Sequence, residues 1–331
     1  MDFVNEMKAK AKSMRKRLVL PEGTEPRTVK AAQILMKEQL AVSVTLLGKV
    51  ADIRKVAENE GVDLGGINIV SPHADANLNK YAHEYYEMRR HKGMSEEQAK
   101  IDIADPLRWG AMMVHLGAAD AMVAGAENTT GDVLRAGLAI IGTVPGLKTA
   151  SSCFVMANMD PHWGADGALI FSDCAVVPDP TAEQLADIAE SAAQSCREFL
   201  GTEPVVALMS FSTKGSAKHD AVTKVQTAVG LLKSKNPGFV FDGELQADAA
   251  LVPSVTDKKA PGSPVRGRVN TLVFPDLGSG NIGYKLVQRL GKAEAFGPFL
   301  QGFAKPVSDL SRGASVDDIV TTAAVTLSRA K

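Results

Sequence analysis

Near the end of the sequence a serine, an arginine and an aspartate fall within one short stretch, Asp309-Leu-Ser311-Arg312-Gly313-Ala-Ser315-Val-Asp317-Asp318-Ile319-Val320. A hydroxyl, a guanidinium and a carboxylate at the positive start of a helix could orient a nucleophile, hold an anion and remove a proton. The spacing has a second explanation. Ser315 followed three residues later by Asp318 is a capping box, which accounts for both residues without any chemistry. On spacing alone both roles stand.

Three other stretches suit an anion. Gly125-Ala-Glu-Asn128-Thr129-Thr130-Gly131-Asp132-Val-Leu-Arg135 joins an apolar strand pattern to a helix. Asn128, Thr129 and Thr130 offer amide and hydroxyl donors there, the helix start adds backbone donors, and Arg135 lies one turn inside. Thr129 or Thr130 would serve equally as an ordinary N-cap. Glu87-Met-Arg89-Arg90-His91-Lys92-Gly93 is a basic cluster at a helix C-terminus, where cations meet the carbonyl end favourably. The planar guanidinium of Arg89 would also suit a phosphate. Gly278, Gly280 and Gly283 fit G-x-G-x-x-G after the strand-like run Val269 to Phe274. Such a turn brings backbone N–H groups to a phosphate, but no convincing acidic residue follows in the stretch Lys292 to Gln301, which argues against a dinucleotide.

Other reactive side chains carry less. Cys153, Cys174 and Cys196 form neither a CxxC pair nor an even set, so they suit a reducing compartment and read as small buried residues. Asp160, His162, Asp166 and Asp173 match no metal-ligand spacing.

The elements that must position these groups alternate between short β-rich runs and helical patterns, which predicts an α/β fold with parallel strands and crossover helices. Met1 to Arg17 reads as a solvated first helix rather than a targeting peptide, because Asp2 and Glu6 interrupt its basic residues and no apolar stretch follows. Strands are expected at Arg17 to Pro21, Val42 to Leu47, Ile67 to Val70 and Ala121 to Ala124, with helices over about 49–60, 76–92 and 105–116. After Pro145-Gly146 a second series begins, with strands at Ser152 to Asn158, Ala168 to Ser172 and Val205 to Met209, and a helix from Thr181 to Leu200 opened by the capping box Thr181/Gln184. A final strand-like segment reaches Ser308 and a last helix runs from about Val316 to Arg329.

At 331 residues two domains are expected. Apolar residues make up 45% and charged residues 23%, and no segment approaches a membrane span. A net charge of -1 argues against a broad nucleic-acid face.

Taken together in order, several segments resemble the phosphate acetyltransferase and phosphate butyryltransferase family: Leu18 to Gly23, Arg90 to Met94, Asp105 to Leu107, Gly125 to Asp132, Phe274 to Leu277 with Gly280-Asn281-Ile282, and Asp309 to Gly313. The resemblance covers nearly the whole chain and is strongest to acetyl-transferring members. It implies two three-layer αβα domains of the isocitrate/isopropylmalate-dehydrogenase-like type with a ligand cleft between them. Domain I would comprise 1–147 plus 303–331 and domain II 148–302. It implies a cytoplasmic homodimer whose small-molecule substrates are coenzyme A, acetyl phosphate and phosphate, with no tightly bound cofactor and no metal. By motif, Asp318 would be the general base, with Ser311 and Arg312 beside it. Arg89, Arg135, Asn128, Thr129, Thr130, Gly280 and Asn281 would contact coenzyme A or phosphate. Ala314 stands where family members often have Cys, and Gly278 where Asn is common. Transfer would be direct, from acetyl phosphate to the thiol of coenzyme A, with no protein nucleophile. A butyryl-transferring enzyme, a catalytically silent acetyl-CoA sensor and a dehydrogenase using the glycine turn are the alternatives.

Overall fold

The computed structural model describes residues Asp2–Lys331, which form two compact units: Asp2–Val144 with Phe303–Lys331, and Pro145–Gly302. In the first unit, α1 (Phe3–Met14) precedes β1 (Arg17–Leu20), α2 (Pro26–Lys37), β2 (Ser43–Leu47), α3 (Val50–Asn59) and β3 (Asn68–Val70). Then come α4 (Leu78–Arg89), α5 (Glu96–Ile103), α6 (Pro106–His115), β4 (Ala121–Ala124) and α7 (Thr130–Ile140). The second unit holds β5 (Ser151–Ala157), β6 (Leu169–Ser172), α8 (Ala182–Leu200), β7 (Val205–Met209), α9 (Asp220–Lys235) and β8 (Val240–Leu245). It continues with α10 (Ala247–Leu251), α11 (Pro253–Lys259), β9 (Thr271–Val273), α12 (Leu277–Leu290) and β10 (Glu294–Gln301), before β11 (Val307–Asp309) and α13 (Val316–Leu327) return to the first.

The sheet of the first unit is wholly parallel, in the order β11-β4-β1-β2-β3. Its central strands are buried on both faces, as parallel strands covered by helices must be. Leu18, Leu20, Val44 and Leu46 pack with Val29, Leu35, Ile53, Ile319 and Leu327 of α2, α3 and α13 on one face. On the other face α6 comes so close that a Cβ at Gly110 would lie 3.0 Å from Met122 Sδ. The result is a three-layer αβα sandwich.

Two expectations change here. The first helix is not simply solvated: Phe3, Met7 and Ala11 recur at i, i+4 and i+8 and are buried, giving α1 an apolar stripe that packs on α13. Helix α5 was not anticipated, although Ser95 and Gln98 sit at its start and the Ser95 hydroxyl accepts the Gln98 N–H.

The second sheet runs β10-β5-β6-β9-β7-β8 and is mixed, not parallel throughout. β5 is antiparallel to both β10 and β6, whereas β6, β9, β7 and β8 are mutually parallel. Residues 158–168 join β5 to β6 without a helix, and so short a connection leaves only the antiparallel pairing. Its core gathers Phe154, Met156, Phe171, Leu245 and Leu272. The Thr181/Gln184 capping box opens α8 as expected. The final strand-like segment is two strands: β10 belongs to the second sheet and β11 to the first.

Candidate functional site

In the first unit the chain passes from β1 outward through β2 and β3, then crosses to the other side of β1 for β4 and β11. In open α/β sheets the crevice at such a reversal, beyond the carboxyl ends of the strands, is where ligands bind. The loops leaving β1, β4 and β11 carry Glu22, Asn128 to Thr130, and Ser311-Arg312 respectively.

These loops are fastened by two side chains. The buried carboxylate of Glu22 accepts the backbone N–H groups of Gly125, Ala126, Glu127 and Asn128 at 3.0, 2.8, 3.0 and 2.8 Å, and the Asn128 side-chain amide at 2.9 Å. Of the side-chain donors expected to meet a phosphate, the Asn128 amide is thus taken by a carboxylate of the same chain. Arg27, at the start of α2, donates from Nη1 to the carbonyls of Arg312 and Ala314 at 2.9 and 2.7 Å, and from Nη2 to that of Ala126 at 3.0 Å. Its Nε pairs with Glu25, the residue whose side chain caps α2.

Helix α7 starts beside them. The Thr129 hydroxyl caps it by accepting the Asp132 N–H and donates to Asp132 Oδ2 at 2.6 Å. Thr129 first, then Arg135, holds the Asp132 carboxyl below the usual range. The Thr130 hydroxyl donates to Asp309, the last residue of β11. Gly125 adopts φ +113, and a Cβ there would lie 2.5 Å from Asp309 Oδ1 and 2.6 Å from the Leu310 nitrogen, so only glycine admits this approach of the two loops.

Ser311 and Arg312 lie exposed on the turn between β11 and α13. The Ser311 hydroxyl accepts the Gly313 N–H at 3.2 Å. The Arg312 side chain has no ion-pair partner among the described residues. Ser315 and Asp318 form the capping box: Asp318 Oδ2 accepts from the Ser315 N–H and hydroxyl at 2.9 and 2.8 Å. Asp318 Oδ1 has no partner among the described residues.

A cleft of about 400 Å³ in the same unit brings together Arg89, Asn128 and Arg135, with Lys92, Arg108 and Asp132 among its other lining residues. Four cationic side chains against Asp105 and Asp132 leave it electropositive. Arg89 Nε is buried with no hydrogen-bond partner among the described residues, whereas Arg135 pairs with Asp132.

Gly280 and Asn281 belong to the second unit. Asp276 caps α12, so the three glycines lie within the helix rather than in a turn ahead of it. A Cβ at Gly280 would lie 2.2 Å from the Asp173 carbonyl, and Asn281 Nδ2 donates to the Cys174 carbonyl at 3.2 Å. The Asp173 carboxylate accepts the N–H groups of Ser152, Ala175, Val176 and Val177. Among the described residues no three His, Cys, Asp or Glu side chains are grouped to hold a metal ion. All three cysteines are buried and unpaired by disulfides. Burial pushes the Cys174 thiol far above its usual range and that of Cys196 up to about 11.

Residues not singled out from sequence are Glu22, Arg27, Asp309 and Arg108. Glu22 lies in the loop after β1, Arg27 in the first turn of α2 and Asp309 at the end of β11, and those positions beside the sheet's reversal are the signal that would have found them.

Residues 2–327 match the family model of phosphate acetyl/butaryl transferases. A phosphate acetyltransferase of Treponema pallidum is 58% identical over 330 residues, 99% of this chain and 98% of that protein. A phosphotransacetylase from Streptococcus pyogenes, solved by crystallography, superimposes with a TM-score of 0.92 at 40% identity over 99% of this chain and 98% of that one. At 11% identity and a TM-score of 0.56, a 4-hydroxythreonine-4-phosphate dehydrogenase from Klebsiella pneumoniae, aligned over 96% of this chain and all of its own, shares the dehydrogenase-like αβα fold.

Proposed function

The chain belongs to the phosphate acetyl/butaryl transferase family, and from that membership we propose that it moves an acetyl group reversibly between acetyl phosphate and coenzyme A, with Asp318 as general base. The observation that carries the reading is the family match over almost the entire chain, together with a relative of that named activity at 58% identity.

A free thiol ionises near pH 8.5, so a base and nearby positive charge both assist it at neutral pH. Asp318, with Oδ2 held by Ser315, offers Oδ1 to the thiol proton of coenzyme A. The thiolate attacks the acetyl carbonyl carbon, the carbon–oxygen bond to phosphate breaks, and phosphate leaves with both electrons. Arg312 stabilises the departing phosphate, and Ser311 orients the thiol or the developing oxyanion. The N–H groups of Thr130 and Gly131, which no carbonyl of α7 can serve, face the same negative charge. Arg89 and Arg135 hold anionic parts of coenzyme A. Gly280 keeps α12 against the end of β6, and Asn281 anchors the Cys174 carbonyl in the same unit.

The buried cysteines suit this scheme, because the sulfur that reacts comes from the substrate. Unpaired cysteines also suit the cytoplasm. Ile282, Leu286 and Leu290 expose an apolar stripe at i, i+4 and i+8 along α12, which supports assembly as a homodimer. Turnover with acetyl, propionyl and butyryl phosphates tests the substrate assignment: acetyl phosphate is expected to be preferred, and equal or better turnover of butyryl phosphate would overturn that preference. Light scattering at twice the mass of one chain tests the assembly.

A further inference from the structure

Asp309 is a buried carboxylate without an assigned role, 4% exposed at the end of β11 and two residues before Ser311. One oxygen meets the Thr130 hydroxyl at the start of α7, and Oδ1 has no hydrogen-bond partner among the described residues. Gly125 lies against it, and a Cβ there would be 2.5 Å from Asp309 Oδ1. The pair therefore joins the loop that carries Ser311 and Arg312 to the helix start that faces phosphate.

We infer that Asp309 is a positioning residue: the proton between it and Thr130 decides whether the Thr130 hydroxyl donates inward to Asp309 or outward to a phosphate at the start of α7. The inference rests on the phosphate site proposed above. An ionised carboxylate only accepts, so Thr130 must then point its hydrogen inward. A protonated Asp309 donates to the Thr130 oxygen, and the threonine hydrogen turns outward.

Burial pushes the Asp309 carboxyl up to about 6, against the pull of the Thr130 hydrogen bond and with the help of the nearby Glu22 carboxylate. Glu25 and Arg27 near α2 and Glu127 after β4 surround Glu22, while Asp132 and Arg135 of α7 pair with each other at the cleft. Asp317 and Asp318 lie at the exposed start of α13. In this proposal Thr130 donates inward while Asp309 is ionised and outward once Asp309 is protonated.

The test is the KM for phosphate in the conversion of acetyl-CoA to acetyl phosphate, followed from pH 5 to 8. Wild type, Asp309→Asn, Thr130→Val and Thr130→Ser are compared, with thermal melting as the control for folding. A hydrogen bond to a charged group implies a rise in KM of about tenfold as pH increases through 6, with kcat changed far less. Phosphate's own ionisation affects all four proteins alike. The step is expected in wild type and Thr130→Ser and absent from Asp309→Asn and Thr130→Val. If Asp309→Asn does not fold, the two Thr130 variants decide. Phosphate-dependent turnover with no step, or a step that survives Thr130→Val, overturns the inference but leaves the function standing. No phosphate-dependent turnover in wild type would overturn both.

Discussion

Glu22 Oε1 accepts both the backbone N–H of Asn128, at 2.8 Å, and its side-chain amide, at 2.9 Å. With the three further N–H groups that Glu22 takes, this makes the loop after β4 a structure built around one carboxylate from the loop after β1. Asn128 holds the loop in place from within it.

Glu22→Ala is expected to lower stability by on the order of 3 kcal/mol or more, because it leaves several partly buried N–H groups without acceptors. Glu22→Gln keeps one acceptor oxygen but turns an amide donor toward other donors, so it should fall between wild type and alanine. Thermal melting of the three proteins checks the order, and an unchanged melting temperature for Glu22→Ala would contradict it.

Arg89 and Arg90 are adjacent but differently placed. Arg89 lines the electropositive cleft with its Nε buried and unpartnered, whereas Arg90 pairs with Glu87 at the surface. Arg89→Ala should raise the KM for coenzyme A about tenfold or more with a smaller change in kcat. Arg90→Ala should change it little, as exposed ion pairs contribute little. Steady-state kinetics at two salt concentrations separate these outcomes.

The cysteines give a third prediction. Cys153, Cys174 and Cys196 are buried, and burial raises the thiols of Cys174 and Cys196. Native protein treated with an alkylating reagent at pH 7.5 should keep its turnover, with all three thiols reacting only after unfolding. Rapid inactivation by one modified cysteine would contradict the direct-transfer scheme.

Much of the framework was legible because local chemistry and global fold agree. The buried runs of β1 and β4 and the capping boxes at Thr181 and Ser315 appear where their residue patterns place them. What escaped depends on distant partners. Nothing in the spacing of Gly278, Gly280 and Gly283 distinguishes a phosphate turn from a helix packed against the Asp173 carbonyl. Likewise, no local pattern announces that Glu22 would occupy donors more than a hundred residues away. The break between β10 and β11 has no local signal of this kind, because what separates the two strands is pairing with distant partners in different sheets. At Asp318 the capping geometry is legible in the spacing, whereas the base role proposed for it has no signal in the spacing.

That carboxylate is the centre of the account. The most direct measurement is thioester formation from acetyl phosphate and coenzyme A by Asp318→Asn and by wild type, with melting temperatures recorded in parallel. Loss of a general base should cut kcat by about 10² to 10⁴, while the altered helix start should cost about 1 kcal/mol of stability. A variant that melts lower but turns over at the wild-type rate would show that Asp318 only caps α13.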